Sequence, residues 1–135
     1  MDQLDARIIE LLRENSRAKF VDVGKAVDLT EGAVRRRIKN LIKSGAIRKF
    51  SIETQSGAEA IVLIKTKPKT TPVLTREVVK GLKRVAEKVF EVSGDFDIAA
   101  SITAANIEEL NQKVDEIRKF SQVQSTNTLI RLISA

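Results

Sequence analysis

The chain has 135 residues, 42% of them hydrophobic, enough for one domain or two small ones with packed cores. Its 24 Lys and Arg outnumber 18 Asp and Glu, giving a formal net charge of +6, and it contains no Cys, His, Trp or Tyr. Disulfides, thiol chemistry and the commonest metal ligands are thereby excluded; with no long apolar run and a polar start, the composition fits a cytoplasmic protein and speaks against membrane spans and most nucleophilic or zinc enzymes.

The first expected element runs from Asp2 to Asn15, where Leu4, Ile8, Ile9, Leu11 and Leu12 have helical spacing and Asp2 is placed to cap. A shorter helix follows from about Phe20 to Val27, its Phe20, Val23 and Val27 packing on the first. Asp28-Leu29 turns the chain into Thr30. From Thr30 to Ile47, TEGAVRRRIKNLIKSGAI reads as one amphipathic helix with Thr30 as N-cap, Glu31 on the positive end of the dipole and Gly45 as the stop. At about 100° per residue, Val34, Ile38, Leu41 and Ile42 share one arc. Gly32, Arg36, Lys39, Asn40 and Lys43 lie opposite, flanked by Arg35 and Arg37.

An apolar stripe holding down a helix whose cationic face stays in water suits entry into a DNA major groove. A solvated charged face would look the same on this helix alone. Between Thr30 and Phe50, however, seven cations stand against Glu31 only, a net +6 equal to that of the whole chain, so the basic excess concentrates on one segment and points to a polyanion. The candidate DNA-binding residues are Thr30, Glu31, Gly32, Arg35, Arg36, Lys39, Lys43, Arg48 and Lys49. Arg35, Arg36 and Lys39 are placed to reach bases or nearby phosphates; Lys43, Arg48 and Lys49 mainly meet phosphates. Helix, short helix, turn and basic capped helix make a three-helix, winged or helix-turn-helix domain over 1–53.

After Gly45 the period changes, and Ile47 to Glu53 reads as a strand leaving the helices. Thr54 to Ala58 is the linker. From 59 to 135 the expected order is strand (Ala60 to Thr66), helix (Thr75 to Lys88), strand (Val89 to Ser93), strand (Ile98 to Thr103), helix (Asn106 to Phe120) and strand (Gln124 to Ser134). The loop Lys67 to Pro72 holds both prolines, and Gly94-Asp95-Phe96-Asp97 is a hairpin turn with Gly available for positive φ. Asn106 and Glu109 fit a capping box. A βαββαβ order gives an antiparallel sheet with both helices on one face, so the fold class is α+β, with a ferredoxin-like second domain.

LDARIIELL, DLTEGAVRRRIKNLIKSGAIRKF, VSGDFD and STNTLIRL together resemble the Lrp/AsnC, or feast/famine, family of transcriptional regulators, over nearly the whole chain. The resemblance implies that the first half binds double-stranded DNA and that the ferredoxin-like half, the RAM domain, assembles the protein and senses amino acids. It implies a homodimer formed through the sheets, with the strand around Ile47 to Glu53 pairing with the partner, and dimers that often build octamers. It places an amino-acid effector between dimers, at a Gly-Asp/Glu-Tyr-Asp turn and a Thr-x-Thr segment. These fall on Gly94, Asp95, Phe96 and Asp97 and on Thr126, Asn127 and Thr128; Phe96 replaces the more usual Tyr and removes a hydroxyl. An effector's ammonium needs a carboxylate acceptor such as Asp97, and its carboxylate needs donors such as those near Gly94 and Thr126.

The sequence thus reads as a sequence-specific transcriptional regulator with no cofactor and an amino acid as effector. The alternatives are a sensing or assembly module whose helices bind protein, and a constitutive DNA binder without effector. Steep salt dependence separates DNA from protein contacts. Catalysis is set aside, since Asp95 and Asp97 stand on a turn with no third group evident.

Overall fold

Two short carboxylates start the first helix, α1 (Gln3–Glu14). Asp2 Oδ1 accepts from the Asp5 N–H at 2.8 Å, and the Asp2 N–H donates in return to Asp5 Oδ2 at 3.3 Å, a reciprocal cap that satisfies two otherwise unpaired donors. α2 (Phe20–Val27) ends at Asp28, which takes a left-handed φ of 58°, and α3 (Glu31–Lys43) begins immediately afterwards. The computed structural model describes residues 1–55 and 57–132 and divides into two compact units, 1–54 and 55–135.

In the first unit Ile8, Leu12, Val23, Val27, Val34 and Ile38 form the core, with Leu4, Phe20, Leu29 and Ile47 packed around it. Each fully buried aliphatic side chain contributes roughly 1.5–3 kcal/mol. α3 stops at Lys43, short of the expected Ile47: Gly45 has φ +82° and the Ile47 N–H turns back to the Leu41 carbonyl at 3.0 Å. Ile42, expected in the buried arc, is 49% exposed, because Val34, Ile38 and Leu41 already fill the contact with the other helices. The expected strand at 47–53 is not formed, and the described residues of this unit contain no wing strand. Alternation makes that segment compatible with a β ladder, but a ladder requires a hydrogen-bonded neighbour, and none is present among the described residues.

The second unit holds four antiparallel strands, β1 (Ala58–Thr66), β2 (Lys88–Glu91), β3 (Ile98–Ala104) and β4 (Val123–Ile130), in the order β2-β3-β1-β4. The helices α4 (Pro72–Leu82) and α5 (Ile107–Arg118) give the βαββαβ order of a ferredoxin-like fold. Alternate residues Ala58, Ala60, Val62 and Ile64 of β1, and Ile98, Ala100, Ile102 and Ala104 of β3, pack with Val78, Leu82, Leu110, Val114 and Ile117 of the helices.

Several boundaries differ from expectation. α4 starts at Pro72 rather than Thr75, because Thr71 Oγ1 caps Leu74 N at 3.2 Å and proline needs no N–H partner at the first helical position. It ends at Leu82 rather than Lys88; Val85 and Ala86 N–H groups both return to the Leu82 carbonyl, so the turn continues helical spacing without continuing the helix. The β2–β3 connection spans 92–97, longer than a four-residue turn. β4 stops at Ile130, and the last part of the expected strand, 133–134, lies outside the described residues, as does position 56 of the linker. At α5, Asn106 Oδ1 accepts from the Glu109 N–H at 2.8 Å, but the N–H that donates back to Glu109 Oε2, at 3.0 Å, is that of Ala105, so the cap is shifted by one residue on its return side.

Candidate DNA interface and effector turn

The turn between α2 and α3 decides how α3 is presented. The Leu29 N–H reaches back to the Gly24 carbonyl at 2.8 Å, and a Cβ at Gly24 would stand 2.3 Å from the Leu29 carbonyl oxygen. Only glycine permits that approach. Thr30 Oγ1 then accepts from the Ala33 N–H at 3.2 Å, so Thr30 is the N-cap, and Glu31 occupies the first turn.

Gly32, Arg36, Lys39 and Lys43 recur along one exposed stripe of α3, about 16 Å long at 1.5 Å per residue. Nothing lies within 4 Å of a Cβ built at Gly32, so the N-terminal end of the stripe is open to close approach. Among the described residues Arg36, Lys39, Lys43, Arg48 and Lys49 form no ion pair or side-chain hydrogen bond. Five cations are therefore available to phosphates or base edges.

The other two arginines are committed internally. Arg35 bonds Glu31 at 2.8 Å and lies 5.3 Å from the Phe20 ring centroid. Arg37 Nη1 spans Asp2 Oδ2 at 2.7 Å and Asp5 Oδ1 at 3.1 Å. The guanidinium holds the Asp2 carboxyl below the ordinary carboxylate range, and the two acids raise Arg37 in turn. One arginine thus ties the basic helix to the capping box of α1. Sequence spacing gave no warning of this clasp. Gly24 did carry a signal, since glycine inside a short helix is unfavourable unless close packing requires it.

In the second unit the turn and the Thr-x-Thr segment flank the same residue of the central strand. The Asp97 N–H donates to the Ile64 carbonyl at 2.9 Å, while Ile64 faces Thr126 across the β1–β4 ladder. Two strand spacings, roughly 10 Å, separate them. Gly94 has φ +128°, Asp95 is exposed, and Phe96 is half-buried. Asp97 Oδ2 already accepts from the Thr66 N–H at 2.8 Å and from Thr66 Oγ1 at 3.0 Å, so one carboxylate oxygen fixes the end of β1.

The pleat divides Thr126, Asn127 and Thr128. Thr126 and Thr128 pair with Ile64 and Val62 and share their helix-facing side; Asn127 pairs with Leu63 and points the other way. Arg118 Nε donates to Thr126 Oγ1 at 3.2 Å, and Thr128 Oγ1 is buried without a partner among the described residues. The face opposite the helices carries exposed Ile61, Phe90 and Leu129, with Leu63 and Ala99 between them in register. No helix among the described residues is long and apolar enough to cross a membrane.

A family model described as an AsnC-type helix-turn-helix domain matches residues 1–42, and one described as the Lrp/AsnC ligand binding domain matches 59–134. The chain is 38% identical, over 98% of its length and 95% of the relative's, to the HTH-type transcriptional regulator LysM of Sulfurisphaera tokodaii. It is 34% identical to the HTH-type transcriptional regulator FL11 of Pyrococcus abyssi, over 98% of the chain and 89% of the relative. Its fold is similar to that of a Neisseria meningitidis transcriptional regulator solved as an L-Met complex, with a TM-score of 0.77 at 21% identity, covering 99% of this chain and 91% of that one. The chain belongs to the Lrp/AsnC family of DNA-binding, helix-turn-helix transcriptional regulators.

Proposed function

We propose that this regulator acts as a symmetric assembly whose affinity for duplex DNA is set by an amino acid bound at the β2–β3 turn and β4. The observation that carries the DNA half is the unpaired stripe of Arg36, Lys39 and Lys43 beside the tied Arg35 and Arg37. Thr30, Glu31 and Gly32 bring the positive end of the α3 dipole to the duplex, the stripe meets base edges and phosphates, and Arg48 and Lys49 add phosphate contacts. Two such helices are needed for useful affinity and a palindromic site.

The apolar open sheet face supports dimerisation. Ile61 and Leu129, each 50% exposed, and Phe90, 56% exposed, form a patch that a second copy would cover. The strand-compatible segment 47–53, with Ile52 77% exposed, gains a ladder in the same assembly. Higher association into an octamer follows the family reading. The unpartnered Thr128 hydroxyl, the carboxylates of Asp95 and Asp97, and the backbone at Gly94 supply the donor and acceptor types that a zwitterion requires. By linkage, the effector shifts DNA affinity by as much as its own affinity differs between the two arrangements of the assembly.

A gel shift on the protein's own promoter, across a salt series and with each of the twenty amino acids, tests this reading, with light scattering alongside. The reading predicts steep salt dependence, one or two amino acids that change affinity or band number, and a dimer or larger species that Leu129→Glu reduces to monomer. Salt-steep binding indifferent to every amino acid would remove the effector, and a wild-type monomer would remove the assembly.

A further inference from the structure

α4 carries a second cationic face. Between Lys65 and Lys88, eight cations stand against Glu77 and Glu87, a net +6 that acidic residues elsewhere offset. The whole-chain charge therefore conceals a second basic segment, and the excess is not confined to α3. On α4, Arg76, Lys80 and Lys83 recur at i, i+4 and i+7, with Arg84 in the turn that follows. All four are exposed, on the side away from buried Val78 and Leu82.

On α1 and α5 acids pair with several of the cations, Arg7 with Glu10, Lys113 with Glu109 and Arg118 with Asp115, whereas the α3 stripe of Arg36, Lys39 and Lys43 has no ion pair among the described residues. Among the described residues none of the four cations of the α4 face forms an ion pair or side-chain hydrogen bond, and the neighbouring Glu87 accepts from the Thr103 hydroxyl at 2.5 Å. Complementing the helix dipole does not account for the pattern, because that effect fades beyond the last turn and Arg76 lies outside it. The stripe also lacks Asn or Gln, the side chains that read adenine in the major groove.

We propose that the outer face of α4 is a second duplex-DNA contact, holding phosphates of DNA that flanks the operator without reading its bases. The proposal rests on the chain being a DNA-binding regulator, and it makes the ligand-binding unit a participant in DNA retention. Among polyanions duplex DNA is the occupant argued for, since the same chain already presents a helix-turn-helix to it.

The test compares full-length wild type with the triple variant Lys80→Gln, Lys83→Gln, Arg84→Gln on two duplexes, one of about 20 bp covering two adjacent half-sites and one of about 60 bp centred on them. With about 0.9 of slope per phosphate contact, the variant's log K against log salt becomes shallower by at least about 2 on the long duplex and keeps the wild-type slope on the short one. A Lys80→Arg, Lys83→Arg variant keeps the wild-type slope on both, and circular dichroism of each variant matches wild type. Equal slopes for wild type and the triple variant on the long duplex would overturn the proposal. So would a change in mass by light scattering, which would make this face a contact between copies. Failure of the wild type to bind either duplex would remove the regulator reading itself, and this proposal with it.

Discussion

Gly24 and Arg37 set the presentation of the basic helix without belonging to its outer face. Adding a methyl group at Gly24 forces it against the Leu29 carbonyl, a backbone atom that cannot swing aside, so Gly24→Ala should destabilise the first unit by about 1–3 kcal/mol. Denaturant unfolding measures this directly; a cost within error of zero would mean that the turn relaxes freely. Arg37 works through charge. Its guanidinium lowers the Asp2 carboxyl, so the pair contributes stability when Asp2 is ionised, above the ordinary carboxylate range, and loses it as pH falls through the lowered value. Arg37→Ala should therefore lower the melting temperature at pH 7, with the gap to wild type closing below about pH 4. A gap independent of pH would assign Arg37 a packing role alone.

At the scale of elements, what could be read from the chain was what local rules control. The N-caps at Asp2, Thr30 and Asn106 and the stop at Gly45 each use a short polar side chain or a left-handed glycine, and all four lie where the sequence put them. The βαββαβ order followed from strand-length runs, such as the continuous apolar Ala60 to Thr66, interleaved with helical spacing in the second half. Boundaries failed where two structures share one pattern: Pro72 looks like loop but starts a helix, and Val85-Ala86 keeps helical spacing through a turn. The 47–53 segment failed for a different reason, since alternation reports compatibility with a ladder and not the presence of a neighbour. At the effector segments, Thr126, Asn127 and Thr128 read as one cluster, yet a strand's period of two sends Asn127 to the opposite face. Asp97 was legible as a carboxylate in a turn, but its bonds to Thr66 depend on a contact between distant residues that spacing cannot reveal.

For the molecule as a whole, the two units divide the work. The first holds its basic stripe with a small core and a clasp; the second presents one covered sheet face and one open apolar face, which the proposed dimer would cover. Net charge misled at this scale, because the rest of the chain sums to zero only by balancing a basic α4 region against acidic segments. Contact between the outer stripe of α3 and duplex DNA is open to direct measurement, as operator affinity across a salt series for wild type and for the triple variant Arg36→Gln, Lys39→Gln, Lys43→Gln. Affinity of the triple variant is expected to be at least about tenfold weaker at low salt, with a slope shallower by about 0.9 for each phosphate contact removed. A triple variant that keeps both the wild-type affinity and the wild-type slope would contradict it.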